Sequence, residues 1–177
     1  IQQRAVPSEG KIAAGVTGEV SIRRDANGIP HIFAESDRDL FFGFGFAMAE
    51  DRLFQLDWLK RKGLGRLSEI IGSDGVELDT IARTVGINRI AAAEWSRLSS
   101  SVQETLEAFS AGVNALIESR RDNLPIEFAL LDYEPEPWSP LDSLAIESEF
   151  RWYLTGRFPV ICMPEIAKRE LGEGPLY

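Results

Sequence analysis

The spacing of apolar positions changes along the chain, and each change marks an element. Over residues 19–24 (EVSIRR) apolar and polar residues alternate, which places Val20 and Ile22 on one face of an extended strand. Asp25-Ala26-Asn27-Gly28 supplies a turn, because Asn-Gly tolerates positive φ. Pro30-His31-Ile32-Phe33-Ala34 reads as the return strand, so a β-hairpin is predicted within 16–35. From Ser36 onward the spacing is helical. Ser36 is placed as an N-cap, and Asp37 and Asp39 put negative charge into the first turn. The helix predicted over 37–62 is apolar almost all the way round in its first half, the pattern of a buried helix. Gly43 and Gly45 weaken it locally and predict the close approach of another backbone. Gly63 and Gly65 end the segment.

Shorter helices are predicted over Leu67–Ile71 and Val76–Thr84, with Gly72 between them, and another begins at Asn88. Ser101-x-x-Glu104 reads as a capping box. Val102, Leu106, Phe109, Val113 and Leu116 follow at helical spacing and predict one amphipathic face ending near Arg121. A Pro-rich connector, Glu134-Pro135-Glu136-Pro137-Trp138, comes next. Ser139-Pro140-x-Asp142 restarts a helix with proline at its first position, running to Thr155 with Gly156 as C-cap. Pro159 and Pro164 are expected to bracket a loop, Glu165–Leu171 to form a last short helix, and Gly172–Tyr177 a loose end. Residues 1–15 read as an N-terminal arm. The chain contains no internal repeat and no low-complexity tract.

Composition adds exclusions. A length of 177 residues fits one domain, and 44% apolar residues fill a core. The net charge is −9, and four lysines and fifteen arginines lie scattered among acids. Nucleic-acid binding needs clustered cations, so no nucleic-acid partner is expected. Lys60-Arg61-Lys62, beside Asp57 and Glu69, reads as a solvated helix face. The longest apolar run, near Leu40–Ala49, is about half the ~20 residues of a membrane span and holds two glycines, so no membrane segment is expected. One cysteine, Cys162, excludes an internal disulfide. The opening Ile1-Gln2-Gln3-Arg4 suggests that a signal peptide or an expression tag has been removed.

The candidate chemistry is sparse. A nucleophile needs a base within hydrogen-bond reach. The one histidine, His31, sits in a strand beside a proline and reads as structural. Cys162 lies among Val160, Ile161 and Met163, an apolar setting that suits an inert thiol. Ligands for a transition metal are too few. Asp51 and Asp57 share their helix with Arg52, Lys60 and Arg61, so ion pairing explains them better than catalysis. Gly43-x-Gly45 lies inside a helix and is no phosphate loop. The helix ending at Thr155 differs: Arg151, Trp152, Tyr153 and Thr155, with Arg157 and Phe158 beyond, combine aromatics and guanidinium groups. That set suits either a pocket wall or core aromatics with snorkelling arginines. A complete active site is not expected in this chain.

Five motifs stand in order: Val20-x-Ile22-x-Arg24-Asp25-x-x-Gly28-Ile29-Pro30-His31-Ile32; Gly43-x-Gly45-Phe46-Ala47-x-Ala49-x-Asp51-Arg52-Leu53-Phe54-Gln55-Leu56-Asp57; Gly65-Arg66-Leu67-Ser68-Glu69-x-x-Gly72; Ala111-Gly112-Val113-Asn114-Ala115; and the run from Pro125-x-Glu127-Phe128 through Pro135-x-Pro137-Trp138-x-Pro140-x-Asp142. Together, over residues 18–157, they resemble the penicillin acylase family, two-chain amide hydrolases of the N-terminal-nucleophile hydrolase superfamily. GIPHI and LPIEFALL…EPEPW are especially similar to its cephalosporin acylases. The resemblance is to the α (small) subunit. It implies an α+β fold in which the hairpin joins the sheet of a large β subunit within an αββα architecture. It implies autoproteolytic processing of a common precursor into this chain, a removed spacer and the β chain, with residues 158–177 as the segment before the spacer. The nucleophile would be the β chain's N-terminal serine, with its own α-amine as base and the oxyanion hole also on that chain. Ile1 has neither hydroxyl nor thiol. A periplasmic location and a small acyl-amide substrate follow from the same likeness.

The resemblance gives the α chain the acyl side of the pocket, on a helix spanning 139–157. Counting from Trp138 without a gap, the family's pocket positions fall on Arg151, Leu154 and Thr155, where relatives that accept a phenylacetyl group carry Met, Arg and Phe. Arg151 there suits an acyl group ending in a carboxylate. A shift of one turn brings Arg157 and Phe158 to the pocket, and Trp152 belongs to the same wall. Many members bind structural Ca²⁺ through an α-chain glutamate. The count puts Ile161 there, so no α-chain ligand is expected, although Glu165 lies one turn on; β-chain Ca²⁺ stays open. Similar scaffolds serve β-lactam side chains, acyl-homoserine lactones and N-acyl amino acids. Two alternatives are a member whose processing site is lost and, from another class, a non-catalytic helical adaptor.

Overall fold

The structure, a computed structural model, describes residues 15–155 and 158–172, with backbone alone over 158–161. All of the expected arm but Gly15, the expected C-cap Gly156, Arg157 and residues 173–177 lie outside it, as do the side chains of Phe158 and Ile161. In order, the elements are β1 (Ser21–Arg24), β2 (Pro30–Phe33), α1 (Asp37–Leu64), α2 (Ser68–Ile71), α3 (Val76–Val85), α4 (Ile87–Trp95), α5 (Ser100–Ser119), α6 (Ile126–Leu130), α7 (Pro140–Thr155) and α8 (Phe158–Leu171). A 3₁₀ turn at Gly72–Gly75 joins α2 to α3.

The hairpin forms as the pattern predicts, with Ile22 opposite Ile32 and Arg24 opposite Pro30. Gly28 takes φ 82°, and Asp25 Oδ1 accepts the amides of Asn27 (2.8 Å) and Ile29 (3.0 Å). His31 is exposed, with Nε2 3.4 Å from the Asp25 carboxylate. Arg24 ties the hairpin to α1 through Glu50 (3.0 Å) and Asp51 (2.8 Å).

Helix α1 is the spine. Ser36 caps it, its Oγ accepting the Asp39 amide at 3.1 Å. Asp39 accepts both amides and the hydroxyl that Thr17 and Gly18 offer, fixing the approach to the hairpin. Gly65, at φ 67°, closes the far end. Between these ends the backbone leaves helical geometry at Arg52 (φ −143°, ψ 30°), a kink the sequence pattern did not signal. Gly43 receives Ile32 and Val20 of the hairpin. Gly45 receives the Phe109 carbonyl of α5, and Gly112 of α5 receives the Phe42 carbonyl of α1. The two long helices therefore meet backbone to backbone, around a core that includes Phe46, Leu53, Leu56, Val113, Leu116, Phe128 and Trp138.

Four expectations are corrected. Ser99, not Ser101, caps α5, its Oγ accepting the Val102 amide; the backbone leaves the helix at Ser99. Val102 is consequently exposed on the first turn, and the buried stripe starts further along. The loop expected between Pro159 and Pro164 is helix: Pro159 falls in the first turn of α8, where a missing N–H breaks no bond, and Pro164 sits inside the helix at an exposed position. Helix α6 forms where none was predicted, driven by burial of Phe128. Finally, Lys60-Arg61-Lys62 is no solvated face. Lys60 is 1% and Arg61 4% exposed. They continue the buried stripe of Leu53, Leu56 and Asp57, and acids compensate them. Arg61 donates to Asp57 at 2.8 Å and to Glu69 at 2.8 Å, while Lys60 lies 3.5 Å from Asp57.

Candidate functional site

The buried cations hold the connector that aims α7. Lys60 donates to the Glu136 carbonyl at 3.4 Å and stands over the Trp138 ring. Arg66 takes the Glu136 carboxylate through two nitrogens, at 2.9 and 2.7 Å. That fork holds the Glu136 carboxyl below the usual carboxylate range. Asn114 of α5 pairs with both backbone groups of Trp138, accepting its amide at 2.6 Å and donating to its carbonyl at 2.8 Å. The Trp138 indole donates to Ser143 Oγ at 3.0 Å. Asp142 then accepts the Ser139 amide at 2.7 Å, satisfying a donor at the start of α7.

Helix α7 buries Asp142, Ala145 and Ser148. Ala145 packs with Ala91 and Ile87 of α4, and its carbonyl crosses α1 at Gly63, where a Cβ would stand 2.9 Å away. Lys62 adds an ion pair to Glu149 at 2.7 Å and lies over the Tyr153 ring. The opposite side of α7 is open: Phe150 is 57%, Tyr153 66% and Leu154 57% exposed. Phe150 and Tyr153 are therefore not core aromatics. On α8, Met163, Ile166 and Leu171 are exposed as well. Exposed apolar groups in such number make this a candidate contact surface.

Of the predicted site residues, the structure places Arg151, Trp152, Leu154 and Thr155 on the last turns of α7. Trp152 is half-buried, Leu154 and Thr155 are exposed, and the Thr155 hydroxyl returns to the Arg151 carbonyl at 2.7 Å. Arg151 is already engaged: its Nη2 meets Glu94 of α4 at 2.5 Å and Glu147 at 2.7 Å, and donates to Ser148 Oγ at 3.3 Å. Hydrogen bonding to Glu94 leads in raising the guanidinium's pKa. Two carboxylates against one guanidinium leave the cluster net negative. Glu147 was readable in advance as the i,i+4 partner of Arg151. Glu94, 57 positions away, was not.

Cys162 is a free, half-buried thiol on α8. Among the described residues no three His, Cys, Asp or Glu side chains are placed to hold a metal ion, and Glu165 is exposed. No described helix is long and apolar enough to cross a membrane.

The same architecture occurs in a solved structure, a thermostable penicillin G acylase from Alcaligenes faecalis, with a TM-score of 0.76 and 26% identity over 89% of this chain and 87% of that one. The fold is thus that of an acylase chain. The penicillin amidase family model matches residues 19–174, and the chain belongs to that family. Penicillin acylase 2 proenzyme of Pseudomonas sp. (strain SE83) is 38% identical over 147 residues, 82% of this chain and 19% of the relative. The acyl-homoserine lactone acylase QuiP of Pseudomonas aeruginosa is 37% identical over 132 residues, 75% and 16% of the two. Penicillin G acylase of Escherichia coli is 33% identical over 135 residues, 74% and 16%. The matched region spans about a fifth of the length of these curated relatives.

Proposed function

We propose that this chain is the small subunit of a two-chain amide hydrolase, a penicillin amidase-like acylase, and that it lines the acyl side of the substrate pocket. The observation that carries this reading is the likeness to a separate solved acylase chain of nearly the same length, which this chain covers to 87%. The sparse chemistry agrees with it: His31 is exposed against Asp25, and Glu50, Asp51 and Asp57 of α1 are spent on ion pairs. The nucleophile is then the N-terminal serine of a large partner chain from the same precursor. Its hydroxyl attacks the amide carbon while the terminal α-amine takes the proton and returns it to the departing amine; water then hydrolyses the acyl-enzyme. The hairpin extends the partner's sheet, and the open sides of α7 and α8 meet the partner and the acyl group.

The acyl wall is assigned to Arg151, Trp152, Leu154 and Thr155, with Arg157 and Phe158 as the next turn. Structural calcium, where the assembled protein holds one, draws its ligands from outside this chain. A periplasmic location follows the family reading. Relatives named for β-lactam and for acyl-homoserine lactone substrates share one bond, an amide between an acyl chain and an amine, and both classes are candidates. Intact-mass analysis with N-terminal sequencing of the native protein tests the arrangement. Two chains are expected, the larger beginning with Ser. A stable monomer of this chain alone, as a helical adaptor would give, contradicts it.

A further inference from the structure

We infer that Glu94 is a specificity-determining positioning residue, which withholds Arg151 from the substrate so that the site discriminates against acyl chains ending in a carboxylate. The inference rests on the reading of α7 as the acyl wall. A lone arginine there would invite a carboxylate. Arg151 is not alone. Its Nη2 is shared by Glu94 Oε1 at 2.5 Å and Glu147 Oε2 at 2.7 Å. Glu94 is itself held in place: its Oε2 lies 3.4 Å from the buried Ser148 hydroxyl, and α4 beneath it is seated on α7 through buried Ala91 and Ala145.

The two acids differ in kind. Glu147 stands on the same exposed helix face as Arg151, an i,i+4 pair of the sort that contributes little. Glu94 comes from another helix and is the less exposed of the two acids, 29% against 52%. A carboxylate on the acyl group would have to compete with Glu94 for the guanidinium while facing two like charges. A neutral chain of the same length meets neither penalty. Removing the Glu94 charge leaves one cation against one weakly held anion, and Arg151 becomes available.

The test uses the assembled enzyme, made from a precursor that contains this chain. Substrates are a straight acyl chain and its ω-carboxylated counterpart of equal carbon count, on one chromogenic amine. In Glu94→Gln, which keeps the shape and the contact with Ser148, the carboxylated-to-neutral ratio of kcat/KM is expected to rise about fivefold. The gain should lie mainly in KM and shrink at high salt. Arg151→Gln leaves the two acids unpaired and should lower the ratio below wild type. That variant keeps the inference testable where Glu94→Gln does not assemble. Leu154→Ala serves as the control for the wall itself and should shift chain-length preference. An unchanged ratio in Glu94→Gln with a shifted length preference in Leu154→Ala overturns the role of Glu94 and leaves the wall standing. Equal loss for both substrates in Glu94→Gln, as a purely structural role would give, overturns it too. No shift of preference in any of the three variants overturns the wall and the inference together.

Discussion

A single methyl group at Gly45 separates packing from propensity. Inside a helix, alanine is favoured over glycine by about 1 kcal/mol. At Gly45 the added Cβ would run into the Phe109 carbonyl, and overpacking of that kind costs about 1–3 kcal/mol or more. Gly45→Ala is therefore expected to destabilise, by about 2 kcal/mol, despite the better helix former. Gly28→Ala meets open space and carries only the strain of φ 82°, about 1 kcal/mol. Thermal unfolding of the assembled protein checks the order; equal losses would contradict the close contact. The buried charges give a second test. Asp57→Ala strands Lys60 and half the support of Arg61, at about 3–5 kcal/mol. Asp57→Leu with Lys60→Met removes both charges of that pair and leaves Arg61 its Glu69 contact, so urea denaturation should show the double variant losing less than Asp57→Ala. Both glycine contacts were legible, because glycine within an apolar helix has few other reasons. The buried cations were legible too, by position rather than by charge: residues 53, 56, 57 and 60 keep one helical face. Reading Lys60-Arg61-Lys62 as a block of charge missed that spacing.

Among elements, the connector into α7 matters most, since it sets where the helix proposed as the acyl wall stands. Asn114→Ala removes both backbone contacts to Trp138, a loss of about 2 kcal/mol. It should also blur acyl-chain selectivity without abolishing turnover, which an acyl-chain panel reads directly. Asp79 plays a similar part for α2. Burial pushes its carboxyl up, but donations from Ser68 and Leu67 outweigh that and hold it below the usual range. A depressed carboxyl stabilises the fold above its unfolded value of about 3.9, and the stability goes as pH falls through the folded value. Asp79→Asn should therefore lower the melting temperature at neutral pH and flatten its decline below about pH 4. An unchanged acid limb would contradict this role. Periodicity and turn chemistry foretold the hairpin, α1, α5 and the proline start of α7. They did not foretell the first half of α8, where two prolines argued for a loop ahead of the helix expected over Glu165–Leu171, or α6, whose five residues carry no period and depend on one buried ring.

For the molecule as a whole, the sequence was most informative about what is missing. One histidine and one cysteine, neither read as nucleophilic, led to the expectation that the chemistry lies elsewhere, and the proposed two-chain arrangement is consistent with that expectation. Helix α7 was foreseen but the charge cluster on it was not, because Glu94 reaches Arg151 only through the packing of α4 on α7. The open faces of α7 and α8 were not foreseen either; under the proposed arrangement their exposed apolar residues meet the partner chain. Under the proposed function this chain selects the acyl group while another chain is acylated. Mass spectrometry of the native enzyme, quenched during turnover of a slow acyl substrate, tests it most directly. The larger chain, beginning with Ser, is expected to gain the mass of the acyl group while this chain's mass does not change. An acyl adduct on this chain would contradict it.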